Sequence, residues 1–216
     1  MDTTILIVDD SQFIVDGLAA ILSRKGYTPI MAHGGDECLR ILKTAIPDLI
    51  LLDIMMEPMD GWETLEKIKG DPDTRGIPVL MFSAKKITPA EAQEHSLSID
   101  DFVSKPVNPT QLIESIQRIF SRRNDIKEEL LLAEGKGFDP SLIKEYGTLR
   151  KSVEVDRNLL VVLRSAVGRD QAGRTPSPDE MAALRALEDK VASSERRIRE
   201  IRDLLAKTVP LAGQHE

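Results

Sequence analysis

The sequence has few aromatic residues, one cysteine and no long hydrophobic run. Aromatic residues make up 4% of the 216 residues, too few for a surface that binds single-stranded nucleic acid by base stacking. Apolar runs such as 159–163 fall far short of the ~20 residues that cross a bilayer, so we expect no membrane insertion. The single cysteine, Cys38, excludes an internal disulfide and a cysteine-cluster metal site.

Histidine and nucleotide-binding motifs are also scarce. Three histidines, His33, His95 and His215, fall in predicted loop, helix and tail settings, which indicates solvated surface positions. No Gly-x-Gly-x-x-Gly or P-loop pattern is present. The N-terminus carries no basic region before its first apolar segment, so we expect a cytoplasmic protein without a secretory signal. With 41% hydrophobic and 30% charged residues, the chain can build a packed core.

The first 124 residues alternate short apolar runs with amphipathic stretches. Strands are predicted at 4–8, 28–32, 48–52, 77–82 and 101–104, and helices at 11–25, 35–45, 61–69, 89–96 and from 109 onward. Nearly continuous apolar strands between helices are typical of a parallel sheet covered on both faces. The pattern therefore predicts a doubly wound α/β domain.

The remaining residues follow a helical pattern. Glycine and proline cluster at 135–140 and 168–178, and apolar residues recur at heptad spacing over 141–167 and 179–209. This predicts an antiparallel two-helix hairpin or coiled coil, preceded by a fifth helix of ~26 residues that continues to Gly135. Asp156 interrupts the first heptad seam, and in an antiparallel hairpin it falls near Lys190, with which we expect it to pair.

Five polar side chains follow the predicted strands. Asp9 and Asp10 follow the first strand, Asp53 the third, Ser83 the fourth and Lys105 the fifth. The carboxyl ends of parallel strands meet at one edge, where ligands bind. Three carboxylates there repel one another unless a cation neutralises them, and a site with few protein oxygens favours Mg²⁺ with a phosphate. Asp53 is then a candidate nucleophile for phosphoryl transfer, with Lys105 and Ser83 stabilising the phosphoryl oxygens.

These residues resemble the receiver domain of two-component response regulators over about residues 3–122. The matching features are the acidic pair Asp9-Asp10, the phosphoacceptor Asp53, the Pro-x-x-Gly at 58–61, the switch hydroxyl Ser83, and Lys105-Pro106, where the family usually has a cis peptide bond. The resemblance implies a flavodoxin-like sheet of order 2-1-3-4-5.

The resemblance also implies residue roles. Asp10 and Asp53 would bind Mg²⁺ beside Asp9, with the backbone carbonyl of Met55 as a further ligand. Phe102, three residues before the lysine, occupies the aromatic switch position that works with the hydroxyl of the fourth strand. Met55 and Lys85 occupy positions that tune phosphoryl lifetime, and neither orients water, so slow self-dephosphorylation is expected.

The sequence therefore predicts a receiver at 1–122, an extension of the fifth helix with a linker at 123–138, and a hairpin at 139–216. The protein would be a signalling module, not an enzyme for another substrate, and would accept a phosphoryl group from a sensor histidine kinase. A lone two-helix hairpin is marginal, so we expect a homodimer or a downstream protein partner.

Two other functions share some of these features. A phosphatase of the haloacid dehalogenase type needs a second Asp two residues after its nucleophile, where this chain has Met55. A DNA-binding output could use the arginines at 196–202, but acidic residues are interleaved with them. Residues 1–124 hold 13 basic and 19 acidic residues, whereas 125–216 hold 16 and 17, so the helical half offers little attraction for phosphates. A protein-interaction output is favoured over DNA.

Overall fold

A computed structural model describes residues 2–84, 88, 91, 94–168 and 177–207. The chain divides into two compact units, of which the first comprises Met1–Ile87 with His95–Ile119 and the second Thr88–Glu94 with Phe120–Glu216. The predicted helix at 89–96 falls largely outside the described residues, and Lys85 lies outside them as well. No helix in the described part of the chain combines the length and the apolar character that a membrane crossing requires.

A five-stranded parallel sheet forms the centre of the first unit. Its strand order, β2-β1-β3-β4-β5, confirms the predicted doubly wound fold. The central strands are almost entirely apolar apart from their end residues, and they are buried because helices cover both faces. The strands are β1 Thr4–Val8, β2 Thr28–Ala32, β3 Leu49–Asp53, β4 Val79–Ser83 and β5 Asp101–Ser104.

Three helices follow the first three strands. They are α1 Gln12–Arg24, α2 Gly35–Ile41 and α3 Gly61–Gly70. α1 buries Val15, Leu18 and Leu22, whose spacing places them on one face of the helix. Burial of each such side chain contributes ~1.5–3 kcal/mol to stability. α3 begins at a strong cap, because the Asp60 carboxylate accepts a hydrogen bond from the backbone N–H of Glu63.

The helix α4 spans Pro109–Gly135, so the fifth helix of the sequence prediction does continue past residue 124. In the first unit it buries Leu112, Ile116 and Ile119. Its continuation from residue 120 belongs to the second unit. One helix therefore contributes to both hydrophobic cores.

The second unit contains α5 Pro140–Gly168 and α6 Pro178–Lys207. Ion pairs join Asp156 to Lys190 and Arg164 to Glu188. The residue numbers therefore increase along α5 in the direction in which they decrease along α6. The two helices are antiparallel, as predicted. The expected pairing of Asp156 with Lys190 is confirmed, with the Lys190 ammonium 3.0 Å from a carboxylate that is fully buried.

The end of α4 adds a third helix to the expected hairpin. Leu130 of α4 is one of the residues that pack against a buried cluster formed by Tyr146, Val153, Ile198 and Ile201. The chain reverses after α4 through Gly137, whose φ of +74° favours glycine. The heptad pattern of 141–167 and 179–209 gave no sign of this packing, because it showed only the seam that the two helices share.

Candidate functional site

The predicted polar residues meet at the carboxyl edge of the sheet. Asp9 directly follows β1, and Lys105 directly follows β5. Asp53 and Ser83 are the last residues of β3 and β4, one position earlier relative to their strands than the sequence pattern indicated. The parallel register sets this arrangement, since it places Asp53 opposite Phe82 and Ser83 opposite Ser104.

Lys105 lies between two carboxylates. Its Nζ is 2.7 Å from Oδ2 of Asp9 and 2.8 Å from Oδ2 of Asp53. The same ammonium lies 4.6 Å from the centre of the Phe82 ring, a cation–π contact that the sequence analysis did not anticipate. Asp9 and Asp53 are almost completely buried, so this one cation offsets part of a large desolvation cost.

Three carboxylates come together beside this lysine. One oxygen each from Asp9, Asp10 and Asp53 lies within 4.8 Å of the others. Backbone N–H groups orient the two acids that follow β1. The N–H of Ser11 donates to Oδ1 of Asp9 at 2.8 Å, and the N–H of Glu57 donates to Oδ2 of Asp10 at 3.3 Å. Such backbone donors could not be identified from side-chain identities.

The carboxylate of Asp53 is only partly satisfied. Burial is the largest influence on it and raises its pKa above the usual value, helped by the negative charge of Asp9. The hydrogen bond and charge of Lys105 act in the opposite direction, as does the backbone N–H of Met55. Within the described residues, Oδ1 of Asp53 is buried and no hydrogen bond of standard geometry reaches it. An unpartnered oxygen beside two more acids fits a hard, oxygen-seeking dication such as Mg²⁺.

Gly61 permits a close approach to the backbone of Asp53. A Cβ atom at this position would overlap the backbone carbonyl oxygen of Asp53. The Gly61 N–H donates to the carbonyl of Ile54 at 2.9 Å, which fixes the start of α3 against the end of β3. The preceding Glu57–Pro58 peptide bond is cis. The glycine of the Pro-x-x-Gly motif thus has a steric role.

The predicted switch and ligand residues lie near this edge but differ in exposure. Ser83 is buried, and its carbonyl accepts a hydrogen bond from the Lys105 N–H at 2.8 Å. Phe102 is also buried and lies opposite Met81, two residue pairs before Ser83 and therefore on the same face of the sheet. The Met55 side chain is 54% exposed. The Lys105–Pro106 peptide bond is cis, as the resemblance implies.

One expectation about histidine is wrong. His95 is not a solvated residue, because its ring stacks on Trp62 with the ring centres 4.1 Å apart and the planes inclined by 12°. Both side chains are partly buried. Trp62 and His95 are 33 positions apart in the sequence, and no spacing pattern indicates that their rings are in contact.

The fold and this edge together define the receiver class of two-component signalling. The model of the response regulator receiver domain matches residues 5–117, more than half of the chain, and the chain belongs to this family. The family is a signalling module, not a catalytic enzyme, and it interacts with sensor histidine kinases. Residues 122–209 match a second model, described as Metanogen output domain 2.

Several known proteins are similar to the chain. The phosphate regulon transcriptional regulatory protein PhoB of Klebsiella pneumoniae is 30% identical over 65% of the chain and 62% of its own length, so the chain spans about three fifths of this curated relative. A receiver domain from Methanoculleus marisnigri is 58% identical and covers 53% of the chain and 94% of its own, with a TM-score of 0.47. The chemotaxis protein CheY4 of Vibrio cholerae is 28% identical, covers 55% of the chain and 99% of its own, and has a TM-score of 0.52.

Proposed function

We propose that Asp53 accepts a phosphoryl group from the phosphohistidine of a sensor histidine kinase. The observation that carries this proposal is that the two oxygens of Asp53 differ in their partners. Lys105 donates a hydrogen bond to Oδ2, whereas no hydrogen bond from the described residues reaches Oδ1. Attack by Oδ1 forms the O–P bond as the P–N bond to imidazole breaks, and the bonding electron pair leaves with that nitrogen, which is neutral or takes up a proton from water.

Lys105 and Ser83 have complementary roles in this proposal. Lys105 already contacts both Asp9 and Asp53, so its ammonium would be within reach of a phosphoryl oxygen on Asp53. The Ser83 hydroxyl would donate a hydrogen bond to another oxygen, and its movement toward Asp53 would open space beside it for the Phe102 ring. Ser83 and Phe102 are both buried, which favours a signal carried by repacking of side chains.

The chemistry of the acidic cluster fits Mg²⁺. Asp10, Asp53 and the backbone carbonyl of Met55 would hold the ion, with Asp9 beside it. Bound there, the ion would supply positive charge that reduces repulsion between the carboxylates and the incoming phosphoryl group. Asp10 is exposed, whereas Asp9 and Asp53 are buried, so the proposed site faces solvent from the Asp10 side.

A kinase would reach this edge from the start of α1. Phe13 lies three residues after Asp10 and is 84% exposed, an unusual exposure for a large apolar side chain. Phosphotransfer from the kinase should therefore depend on Phe13 more than phosphorylation by a small donor does.

We place this exchange in the cytoplasm and assign the receiver to residues 1–122. We also propose slow self-dephosphorylation, since Met55 carries no group that orients water.

The output is proposed to be phosphorylation-dependent dimerisation or protein docking by the helical region. The DNA alternative draws support from the similarity to a transcriptional regulator. Against it, arginines of the suggested basic patch are engaged with acids: Arg197 with Glu145 and Glu200, and Arg202 with Glu129. DNA phosphates would have to displace these partners, which favours a protein partner.

Mass and shape in solution test this function directly. The full chain should bind beryllofluoride, a phosphoryl mimic, in the presence of Mg²⁺ and change its oligomeric state or compactness. Asp53→Ala should show no response, and Asp16→Ala, which alters an exposed acid on α1, should respond as the wild type does. An unchanged wild-type scattering profile would contradict the link to the helical region, and a salt-sensitive shift of promoter DNA would favour the DNA alternative.

A further inference from the structure

The second unit contains a cavity of about 260 Å³ that the proposed phosphoryl chemistry does not use. It lies among the last turns of α4, the first turns of α5 and the last described turns of α6. Leu132, Ala133 and Leu205 form its apolar wall. Leu132 is 67% exposed, so the wall continues to the surface. A concave apolar surface bordered by a few polar groups is the usual form of a small-molecule site.

A network of polar side chains forms the other wall. The hydroxyl of Tyr146 donates to Oε2 of Glu129 at 2.8 Å and accepts from Nε of Arg202 at 2.8 Å. Arg150 donates to the same Glu129 oxygen at 3.1 Å, and Nη2 of Arg202 donates to Oε1 at 3.0 Å. Glu129 supplies the only carboxylate among the described residues of the wall, and each of its oxygens accepts at least one hydrogen bond.

This pairing fixes the charge of the network. Burial acts to raise the pKa of Glu129, but the hydrogen bond from Tyr146 and the charges of Arg150 and Arg202 outweigh it and hold the pKa below its usual value. Glu129 is thus ionised at neutral pH, and each of its oxygens already accepts a hydrogen bond from this network. The neighbouring arginines disfavour a positively charged ligand here.

Unused donors point to an anion. Within the described residues, no hydrogen bond comes from Nη1 of Arg202, and the ammonium of Lys136 at the rim has no side-chain partner. Of the charged residues that line the cavity, Lys136 and Arg202 are positive and Glu129 is negative, so the described lining carries one more positive than negative charge. A ligand with one negative group and a hydrocarbon part would complement both walls.

We propose that this cavity binds a small carboxylic acid with a short hydrocarbon chain, the carboxylate at Lys136 and Arg202 and the chain against Leu132 and Leu205. The volume lies just below the ~300 Å³ typical of drug-sized ligands, which limits the ligand to a few carbons beyond the carboxylate. Because the walls come from α4 and α6, such a ligand would bind residues of both helices. The site would give the helical unit a chemical input separate from phosphorylation.

Three probes separate the contributions of the polar and the apolar wall. Isothermal titration of the full chain with hexanoate should give saturable binding, whereas acetate lacks the hydrocarbon and hexanol lacks the charge. We expect each of these two to bind at least about tenfold more weakly. Lys136→Gln should weaken hexanoate binding about fivefold, and Lys144→Gln, an exposed lysine on α5 away from the cavity, should leave it unchanged.

Each outcome decides the proposal. Selective binding of hexanoate that Lys136→Gln weakens and Lys144→Gln does not would support it. Absence of saturable binding would overturn it, as would equal binding of acetate, which would indicate nonspecific anion attraction. Equal affinity in Lys136→Gln and Lys144→Gln would likewise overturn it. Asp53→Ala should bind hexanoate like the wild type, so failure of the phosphoryl proposal leaves this test unaffected.

Discussion

Gly61 lies so close to Asp53 that any side chain at position 61 would collide with the Asp53 backbone carbonyl. We expect Gly61→Ala to push α3 away from the end of β3 and to destabilise the protein by roughly 1–3 kcal/mol, the usual cost of overpacking. The same displacement should disturb the Asp53 carboxylate and slow its phosphorylation by acetyl phosphate. Urea unfolding and phosphorylation time courses measure the two effects.

Gly70 at the other end of α3 provides a matched control. A Cβ atom there meets nothing within 4 Å. Gly70→Ala should keep the phosphorylation rate of the wild type and change stability little. Equal rates in Gly61→Ala and wild type would mean that the close approach does not position Asp53.

Asp53→Asn should stabilise the metal-free protein at neutral pH. Burial raises the pKa of Asp53, so the folded state binds its proton more tightly than the unfolded state does. Stability from this group is present below the ordinary pKa of aspartate and is lost as the pH rises through the raised value. We expect Asp53→Asn to increase the melting temperature by about 2–4 °C, the effect of ~1 kcal/mol in a chain of this size.

The pH dependence distinguishes this cause from a simple packing change. The advantage of Asp53→Asn should shrink as the pH falls through the raised pKa of Asp53, because the wild-type carboxyl then becomes neutral too. Added Mg²⁺ should stabilise the wild type and have little effect on Asp53→Asn. A stability difference that is constant with pH would contradict the assignment to ionisation.

Lys190→Met should destabilise the helical unit strongly. It leaves the fully buried Asp156 without its cation, and we expect a loss of about 2–4 kcal/mol in the free energy of unfolding. The double variant Asp156→Leu/Lys190→Met should recover most of this loss, since both charges are replaced by apolar groups. Circular dichroism during chemical unfolding measures the helical content.

A surface pair on the same two helices serves as the reference. The Arg164 side chain is 62% exposed and that of Glu188 is 38% exposed, so Arg164→Gln should cost less than about 1 kcal/mol. Equal costs for Lys190→Met and Arg164→Gln would show that burial of Asp156 does not determine the energetics.

His95→Ala should change the fluorescence of Trp62, the only tryptophan of the chain. Loss of the stacked ring exposes the indole to water, so the emission should move to longer wavelength. We expect a stability loss of roughly 0.5–1.5 kcal/mol, the contribution of an aromatic pair. His33→Ala, at an exposed position, should leave the emission unchanged, and a similar spectral shift in both variants would contradict the assignment.

The strand-end pattern predicted which residues share the functional edge. Asp9, Asp53 and Lys105 follow or end strands of one parallel sheet, and the alternation of apolar strands and helices is enough to place them together. Groups that hold them in place were not predictable, because the N–H of Ser11 and the ring of Phe82 act through local geometry that residue type does not encode.

The helical half was less predictable, for a physical reason. Heptad spacing identifies the face that one helix shares with one partner, and it located the pair of Asp156 and Lys190. A third helix packs against this same core, and the spacing along the two hairpin helices does not reveal it. Leu130 of α4 and Tyr146 of α5 belong to one core, but the periodicity of α4 alone did not identify its partner there.

The sharing of α4 between two cores has a consequence for how such proteins recombine. A gene fusion that exchanged the sheet-containing unit at residue 119 would keep Glu129 and Leu130 with the helical unit, but it would interrupt the helix that carries them. A fusion made at Gly135 would instead remove both residues from their core. Viable chimeras should therefore join the parts inside α4 in helical register, so that inherited modules meet within a helix and not within a loop.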